Sequence, residues 1–313
     1  MQPALIIAGP TASGKSALAE ALAERFGGAV INADAMQCYR GLAIITAQPG
    51  PSRVPHLLYG VRDPAEAADV AWWREQALAA MARVRFPILC GGTGMYLRAL
   101  TQGIAALPRI PPELRRETRA ALASRGPAAL HAELDPETAA QLRPTDSQRV
   151  ARAYEVLKAT GRGLAAWQRE APLLPPAPWR FAAILLDPPR EELRRVIAAR
   201  FDAMLAAGAV EEVRRLLHLP DDLPAMRAHG VPELRAYLRG EISLAEARER
   251  AVRHTIQYTK RQATWFRHQP LAAPQATHRI NARFAGLTQF SESLWVSAAS
   301  FVRRHVDGPD AAA

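Results

Sequence analysis

The chain has 313 residues, 49% of them hydrophobic and 22% charged, with 25 prolines that gather in a few short stretches. That balance excludes a fibrous, low-complexity or wholly disordered protein and allows one large domain or a main domain with an insert. A formal net charge of +10 points to a polyanionic partner, since each cation that displaces a condensed counterion adds affinity for a phosphate backbone; a solvated, arginine-rich surface is the alternative.

The first apolar run, residues 4–8, has strand length and leads into Gly9, Pro10, Thr11, Ala12, Ser13, Gly14, Lys15 and Ser16. An amphipathic pattern over Lys15–Phe26 follows. Strand, glycine-rich turn and helix form the setting in which this spacing holds phosphates. The glycines let backbone N–H groups turn inward, the helix start adds partial positive charge, and Lys15 adds a full one. Ser16 can ligand a Mg²⁺ that bridges the phosphates. The pattern is specific for phosphate and says little about the reaction. No basic leader precedes the first strand, and no segment approaches the ~20 apolar residues of a bilayer span, so a cytoplasmic protein is expected. Cys38 and Cys90 form no metal spacing and no disulfide framework, which fits a reducing compartment.

A second strand, Ala29–Asn32, ends just before Asp34, Ala35, Met36 and Gln37. A carboxylate at that edge can bind Mg²⁺, act as a general base, or simply cap the next turn. A helix is predicted over 70–84, with Trp72 and Trp73 as core or interface anchors. A third strand, 86–90, runs into Gly91, Gly92, Thr93 and Gly94, and a helix is predicted over 93–100. Glycines there let backbone approach a ligand, and Thr93 can bond a phosphate or cap the helix.

Between 110 and 176 there is no strand signal, while 111–124, 127–133 and 146–160 carry helical periodicity. A helical insert over about 111–177 is expected, with eleven basic and seven acidic residues between 109 and 169. A strand follows at 182–186, then helices through 190–267. In the last of these Arg248, Arg250, Arg253, Lys260, Arg261 and Arg267 oppose only Glu246 and Glu249. A weak strand signal lies at 278–281, and residues 308–313 are expected to fray. The alternation predicts an α/β fold of P-loop type: a parallel sheet flanked by helices, built from 1–110 and about 178–313, with ligand groups at the carboxyl ends of the strands. His131, His218, His254 and His268 show no metal spacing.

The set of motifs resembles the tRNA dimethylallyltransferase family. The residues that carry the likeness are the P-loop at 9–16, Asp34 with Gln37 and Tyr39, Thr46-Ala47, Pro55-His56, and Gly91-Gly-Thr-Gly-Met-Tyr-Leu97. They continue with Asp135-Pro136, Asp146-Ser-Gln-Arg-Val-Ala-Arg152, Ala153-Tyr-Glu-Val156, Arg200, Met204, Gly208, Glu211-Glu212 and Lys260-Arg-Gln-Ala-Thr-Trp-Phe-Arg267. The order is kept from about residue 4 to residue 267.

The resemblance implies transfer of a dimethylallyl group from dimethylallyl diphosphate to N6 of the adenine 3′ of a tRNA anticodon, by a monomer. In that reading the P-loop grips the donor's diphosphate with Mg²⁺ and need not hold a nucleoside triphosphate. Asp34 accepts a proton from the attacking amine or orients it. Thr93 stabilises the bridging oxygen of the leaving diphosphate, and Lys15 and Arg200 neutralise its charge. Contacts to tRNA are implied for Asp34, Ala35, Met36, Gln37, Thr93, Arg115, Gln148, Arg149, Val150, Ala151 and Arg152. By spacing alone Arg149 and Arg152 are better explained by solvation or by pairing with Glu155, and the family match reverses that reading. The target adenine has to leave its stack, as for other enzymes that act on a base.

Five positions depart from the family pattern. Ala35 stands for a serine, Ile45 for a glycine, Gln48 for a lysine, Leu57 for a histidine and Ile256 for an arginine. Ile45 is expected to reshape its loop, and Ile256 to remove a cation near the diphosphate. Competing functions are a P-loop small-molecule kinase, a prenyltransferase acting on free adenine nucleotide, and an RNA-binding module without covalent chemistry.

Overall fold

The computed structural model describes residues 1–108, 110–171, 173–286 and 291–306; the fraying expected for 308–313 lies outside them. The chain divides into two compact units, Met1–Gln102 with Ala177–Ala313, and Gly103–Pro176. Its strands are β1 (Gln2–Ala8), β2 (Ala29–Asn32), β3 (His56–Leu57), β4 (Pro87–Gly91), β5 (Ile104–Ala105), β6 (Leu173–Leu174), β7 (Trp179–Leu186) and β8 (Thr277–Ile280). The helices are α1 (Lys15–Phe26), α2 (Val70–Met81), α3 (Gly94–Thr101), α4 (Pro112–Ala132), α5 (Pro136–Ala140), α6 (Ser147–Thr160), α7 (Leu164–Glu170), α8 (Arg190–Ala206), α9 (Ala209–Arg214), α10 (Val231–Leu238), α11 (Leu244–His268) and α12 (Glu292–Val306).

The first unit is built on a six-stranded sheet ordered β3-β2-β4-β1-β7-β8, parallel at every pairing. β1 is central because it is apolar on both faces. Leu5 and Ile7 enter one core with Leu18 and Leu22 of α1 and Phe301 and Val302 of α12. Ala4, Ile6 and Ala8 enter the other with Trp73 and Met81 of α2 and Tyr96, Leu97 and Leu100 of α3. The same alternation splits Ile88 from Leu89 and Ile184 from Leu185, as a pleat covered on both sides requires. Trp73 is a core anchor: its ring stacks 4.5 Å from Tyr96 and its indole N–H donates to the Asn32 carbonyl at 2.8 Å. Trp72 instead lies under the Arg62 guanidinium at 4.7 Å.

A third core lies among α8, α9, α10 and α11, joined by Tyr39, Leu42 and Ile45 from the loop after β2. Ile45 is buried there, and the Ile44 and Ile45 N–H groups donate to the Glu212 carboxylate at 2.9 and 2.8 Å. Glu212 thereby ties the loop to α9 and offsets the cost of burying its own charge. Much of the basic excess on α11 is matched by carboxylates. Arg248 pairs with Asp202, Arg250 with Glu246 and Arg267 with Asp187, whereas Arg253, Lys260 and Arg261 show no ion pair among the described residues.

In the second unit α4 and α6 enclose Leu130, Val150, Ala153 and Val156. The two helical runs predicted at 111–124 and 127–133 are both present within α4, separated where Gly126 leaves helical backbone at φ 76° and Pro127 begins the second run. Asp135 and Asp146 cap α5 and α6 by accepting from Thr138 N–H and Arg149 N–H. The absence of strands expected for 110–176 is corrected by β6, which pairs antiparallel with β5. Two-residue strands carry no period that a sequence pattern can reveal. No helix among the described residues is long and apolar enough to cross a membrane.

Candidate active site

Three loops at the carboxyl ends of β1, β2 and β4 meet because those strands are neighbours in the sheet. The first is the P-loop. Gly14 begins α1 at φ 87°, and a Cβ there would lie 1.8 Å from the Phe284 carbonyl oxygen, so only glycine fits. Ala12 also holds a left-handed backbone, at φ 68°, a conformation that costs a side-chain-bearing residue about 1 kcal/mol or more. Ser13 N–H donates to the Pro10 carbonyl at 3.2 Å, and Ser13 Oγ is buried with no partner among the described residues. A buried hydroxyl within a ring of turned-in backbone is what an anion cradle supplies.

Lys15 Nζ reaches only the Pro10 carbonyl, at 3.4 Å, and forms no ion pair among the described residues. Burial pushes its ammonium below the ordinary lysine value of 10.5; Cys90 and Asp34 pull it up, and Arg200 pushes it down again. Arg200 sits on α8, three residues after the buried Ile197, so helical phase turns it inward. Burial likewise lowers its pKa, against the pull of Asp34 and with the push of Arg283. Cys90, raised to about 11 mainly by burial, stays a thiol within bonding reach of Ser16.

Held without ligand, Lys15 binds fewer protons than in the unfolded chain between its lowered pKa and 10.5. The stability of the free protein therefore gains from Lys15 as pH rises across that window. Thermal unfolding at successive alkaline pH values should show Lys15→Met losing this gain, and inorganic diphosphate should abolish it in the unaltered protein. A gain that persists in Lys15→Met would belong to another group.

Asp34 follows β2. Its N–H is fixed by Asn32 Oδ1 at 2.8 Å, and its Oδ1 accepts from Met36 N–H at 3.1 Å. The turn-capping role is thus real but occupies one oxygen; Oδ2 has no hydrogen bond among the described residues. Thr93 follows β4 and does not cap α3 with its side chain. Its Oγ1 accepts from Ala35 N–H at 3.0 Å, while its own N–H donates to the Ala33 carbonyl at 3.1 Å. A hydroxyl that already accepts keeps its proton to donate. Gln37 donates to the Thr46 and Ala47 carbonyls, both at 2.9 Å, and so shapes the loop beside Asp34.

Several site features are given no role by the sequence. Gln262 of α11 accepts from Thr11 N–H at 2.8 Å and from Thr11 Oγ1 at 3.2 Å, and donates to the Gly92 carbonyl at 3.1 Å. A Cβ on Gly92 would lie 2.2 Å from Gln262 Nε2, so the close approach requires glycine. A cavity of about 280 Å³ lies among Arg227, His229, Glu233, His254, Gln257 and Arg261. In its wall the His229 ring lies 4.6 Å from that of Tyr258, and His254 Nδ1 lies 2.6 Å from Glu233 Oε1. Asp34 is close enough to raise the pKa of both His229 and Tyr258, although burial dominates in each, lowering His229 and lifting Tyr258 to about 12. Arg227, His229 and Glu233 sit where the chain reads only as a helix start, and their neighbours on α11 look like a solvated face.

On the second unit Gln148 and Arg149 are exposed and Arg152 is half-buried. Arg149 lies 3.4 Å from Asp146 and Arg152 3.5 Å from Glu155, so the pairing alternative is realised without hiding the cations. Ala151 is half-buried, and so is Arg115, whose Nε has no partner among the described residues. Helical phase turns the Val150 side chain fully into the unit's core, where it packs with Leu130, Ala153 and Val156. Of the departures, Gln48 donates to the Tyr39 carbonyl at 2.8 Å, Leu57 lies on edge strand β3, and Ile256 packs with Val252 on Ala12, Leu193 and Ile197.

Comparison with known proteins matches residues 37–269 to the IPP transferase family model and residues 2–57 to the isopentenyl transferase model. A tRNA dimethylallyltransferase of Acidiphilium cryptum is 60% identical over 309 residues, covering 96% of this chain and 95% of that protein. Another, from Granulibacter bethesdensis, is 54% identical over 312 residues, covering 96% and 98%. Among solved structures, the tRNA isopentenylpyrophosphate transferase of Bacillus halodurans shares 30% identity at a TM-score of 0.69, covering 98% of this chain and 97% of that one. A eukaryotic dimethylallyltransferase acting on tRNA superimposes at 0.76 with 25% identity, over 98% and 80% of the two chains. With most of the chain matched at these identities, and with the P-loop, Asp34 and Thr93 brought to one end of one sheet, the chain belongs to the tRNA dimethylallyltransferase family.

Proposed function

We propose that this enzyme transfers the dimethylallyl group of dimethylallyl diphosphate to N6 of the adenine 3′-adjacent to a tRNA anticodon, releasing diphosphate. The observation that carries the reading is the meeting of two unlike halves. Lys15 and Arg200 stand beside an anion cradle, and next to them Asp34 offers a carboxylate oxygen with no partner among the described residues, with Thr93 bonded between the loops. A cation-lined cradle suits a leaving diphosphate, and a carboxylate suits the amine that replaces it.

In the step itself the N6 lone pair forms a bond to C1 of the allyl group as the C1–O bond breaks, and the electron pair of that bond leaves on the diphosphate. Thr93 donates its hydroxyl proton as a hydrogen bond to the bridging oxygen. Lys15, Arg200 and the P-loop N–H groups meet the charge that develops there. Asp34 Oδ2 takes the proton that N6 sheds. Adenine N6 is a weak nucleophile, so holding it near C1 contributes more than basicity. Ser16 supplies a hard oxygen donor, and the described residues contain no cluster of three or more His, Cys, Asp or Glu that could hold a metal. That donor set fits Mg²⁺, which is held largely by substrate phosphates and water and would neutralise phosphate oxygens when bound.

The target base reaches Asp34 by leaving its stack. The cavity lined by Arg227, His229, Glu233, His254 and Arg261 offers imidazole rings and cations of the kind that splayed anticodon nucleotides use. Gln148, Arg149, Arg152 and Arg115 of the second unit give a further basic surface for the anticodon stem. A cytoplasmic monomer with both cysteines reduced belongs to the same reading; Cys38 and Cys90 are buried and free.

The test is incubation with Mg²⁺ and labelled dimethylallyl diphosphate or labelled ATP, offering unmodified tRNA or AMP. Label entering tRNA from the prenyl donor alone is the expected result. Phosphate transfer from ATP, or prenyl transfer to AMP only, overturns it.

A further inference from the structure

After β8 the chain does not leave the P-loop but runs along it. Phe284 N–H donates to the Ser13 carbonyl at 3.0 Å, and Arg283 Nε donates to the Ala12 carbonyl at 3.0 Å. Phe284 is anchored by its ring in the core shared with α1 and α12, and its carbonyl oxygen fills the space a Cβ on Gly14 would need. Two successive residues from the far end of the sequence therefore hold the carbonyls of two successive P-loop residues. One of those, Ala12, is in the left-handed conformation that needs such external support.

The bond to Ala12 uses only Nε of Arg283. Its two terminal amino groups have no hydrogen-bond or carboxylate partner among the described residues, and the side chain is half-buried. Arg283 also stands near enough to Arg200 for the two charges to repel, and Arg200 in turn repels Lys15. Asp34 opposes Lys15 and Arg200 electrostatically, and Lys15, Arg200 and Arg283 form no ion pair among the described residues. Like charges gathered without counter-charges raise the energy of the free protein, and a polyanion relieves it. A guanidinium fixed at one edge and open on its fork matches two phosphate oxygens.

We propose that Arg283 is a diphosphate-binding residue, held on the P-loop by its bond to Ala12 so that its terminal amino groups contact the prenyl donor's phosphates. The inference rests on the assignment of the P-loop as the diphosphate cradle. It adds a cation from a loop outside the P-loop, the β2 and β4 edges and α8.

The test measures binding of inorganic diphosphate with Mg²⁺ by calorimetry, together with KM for each substrate. Arg283→Gln should weaken diphosphate binding and raise the donor KM about tenfold, as expected for loss of one charge-assisted contact. Its tRNA KM and thermal midpoint should stay close to those of the unaltered protein. Arg283→Lys, which keeps a charge and a donor, should recover most of the affinity. Equal losses in the two variants would reduce Arg283 to a backbone strap, and a change confined to tRNA KM would make it a tRNA-phosphate contact; either overturns the proposal. Lys15→Ala serves as the reference. If it too leaves diphosphate binding intact, the cradle assignment itself fails, whereas loss in Lys15→Ala alone sinks only the role of Arg283. Should Arg283→Gln fold poorly, Arg283→Met, which keeps an unbranched stem but has no charge or donor, is measured against rising salt and gives the same decision. Steeper salt sensitivity in the unaltered protein than in a variant lacking the contact supports the proposal, and equal slopes overturn it.

Discussion

Replacing Asp34 by alanine is expected to lower the rate of prenyl transfer about 10³-fold, within the range that general-base groups contribute, while tRNA binding changes by less than about threefold. The two effects separate because the two carboxylate oxygens do different things. Oδ1 closes a local turn with Met36 N–H, whereas Oδ2, without a hydrogen bond among the described residues, is the oxygen proposed to receive the amine proton. Asp34→Asn keeps an oxygen for Met36 and removes the base, so it should be nearly as slow as alanine at an almost unchanged thermal midpoint. Single-turnover transfer to tRNA, with tRNA affinity from filter binding, reads both quantities. Equal losses of rate and affinity would make Asp34 a binding residue. Loss of Asp34 also removes a carboxylate that acts on both Lys15 and Arg200, so the free protein should bind inorganic diphosphate no worse.

Gln262→Ala should cost about 10²-fold in kcat/KM for the prenyl donor, the scale expected when reacting groups are misplaced by about 1 Å. Gln262 is nearly fully buried and joins the P-loop at Thr11 to the β4 edge at Gly92, and the next residue, Thr93, holds Ala35 beside Asp34. One side chain thus sets the spacing between the phosphate cradle and the loop that receives the amine. Gln262→Glu isolates the two bonds. It still accepts from Thr11 but turns an acceptor toward the Gly92 carbonyl and adds a negative charge near the diphosphate. It should therefore be the slower of the two variants, with the larger rise in donor KM. Comparable activity of Gln262→Ala and the unaltered protein, at equal Tm, would show that α11 does not set this geometry.

Much of the fold is legible in short-range pattern. β1, β2, β4, β7 and β8 fall within a few residues of the predicted strands, because apolar runs between glycine and proline breaks are local properties. The bend at Gly126 and Pro127 divides α4 where two separate helices are predicted. β3 escapes, since two residues become a strand only by pairing with Val30 and Ile31. α12 escapes as well. Its buried positions Ala298, Phe301 and Val302 have helical spacing, but only the sheet face beside α1 gives them somewhere to pack.

The charge pattern shows what local sequence leaves open. Along α11 six cations oppose two acids. Arg248 finds Asp202 and Arg267 finds Asp187, 46 and 80 residues away, and Arg250 finds Glu246 on its own helix. Arg253, Lys260 and Arg261 have no ion pair among the described residues.

By itself, the sequence determined the chemistry at each strand end: a glycine turn with Lys15 and Ser16 for phosphate, a carboxylate at Asp34, and a hydroxyl at Thr93. These depend on residue type and on turns a few residues long, which the chain encodes locally. Only the tertiary structure decided how the three act together. Gln262 lies 251 residues from Thr11, Glu212 lies 167 from Ile45, and Arg283 lies 271 from Ala12. Contacts at such separations leave no period or spacing in a single sequence, because parallel strand order and helix packing create them. The same packing settled placements that residue type left open: Thr93 Oγ1 accepts from Ala35 N–H instead of capping α3, and the Val150 side chain lies in a core.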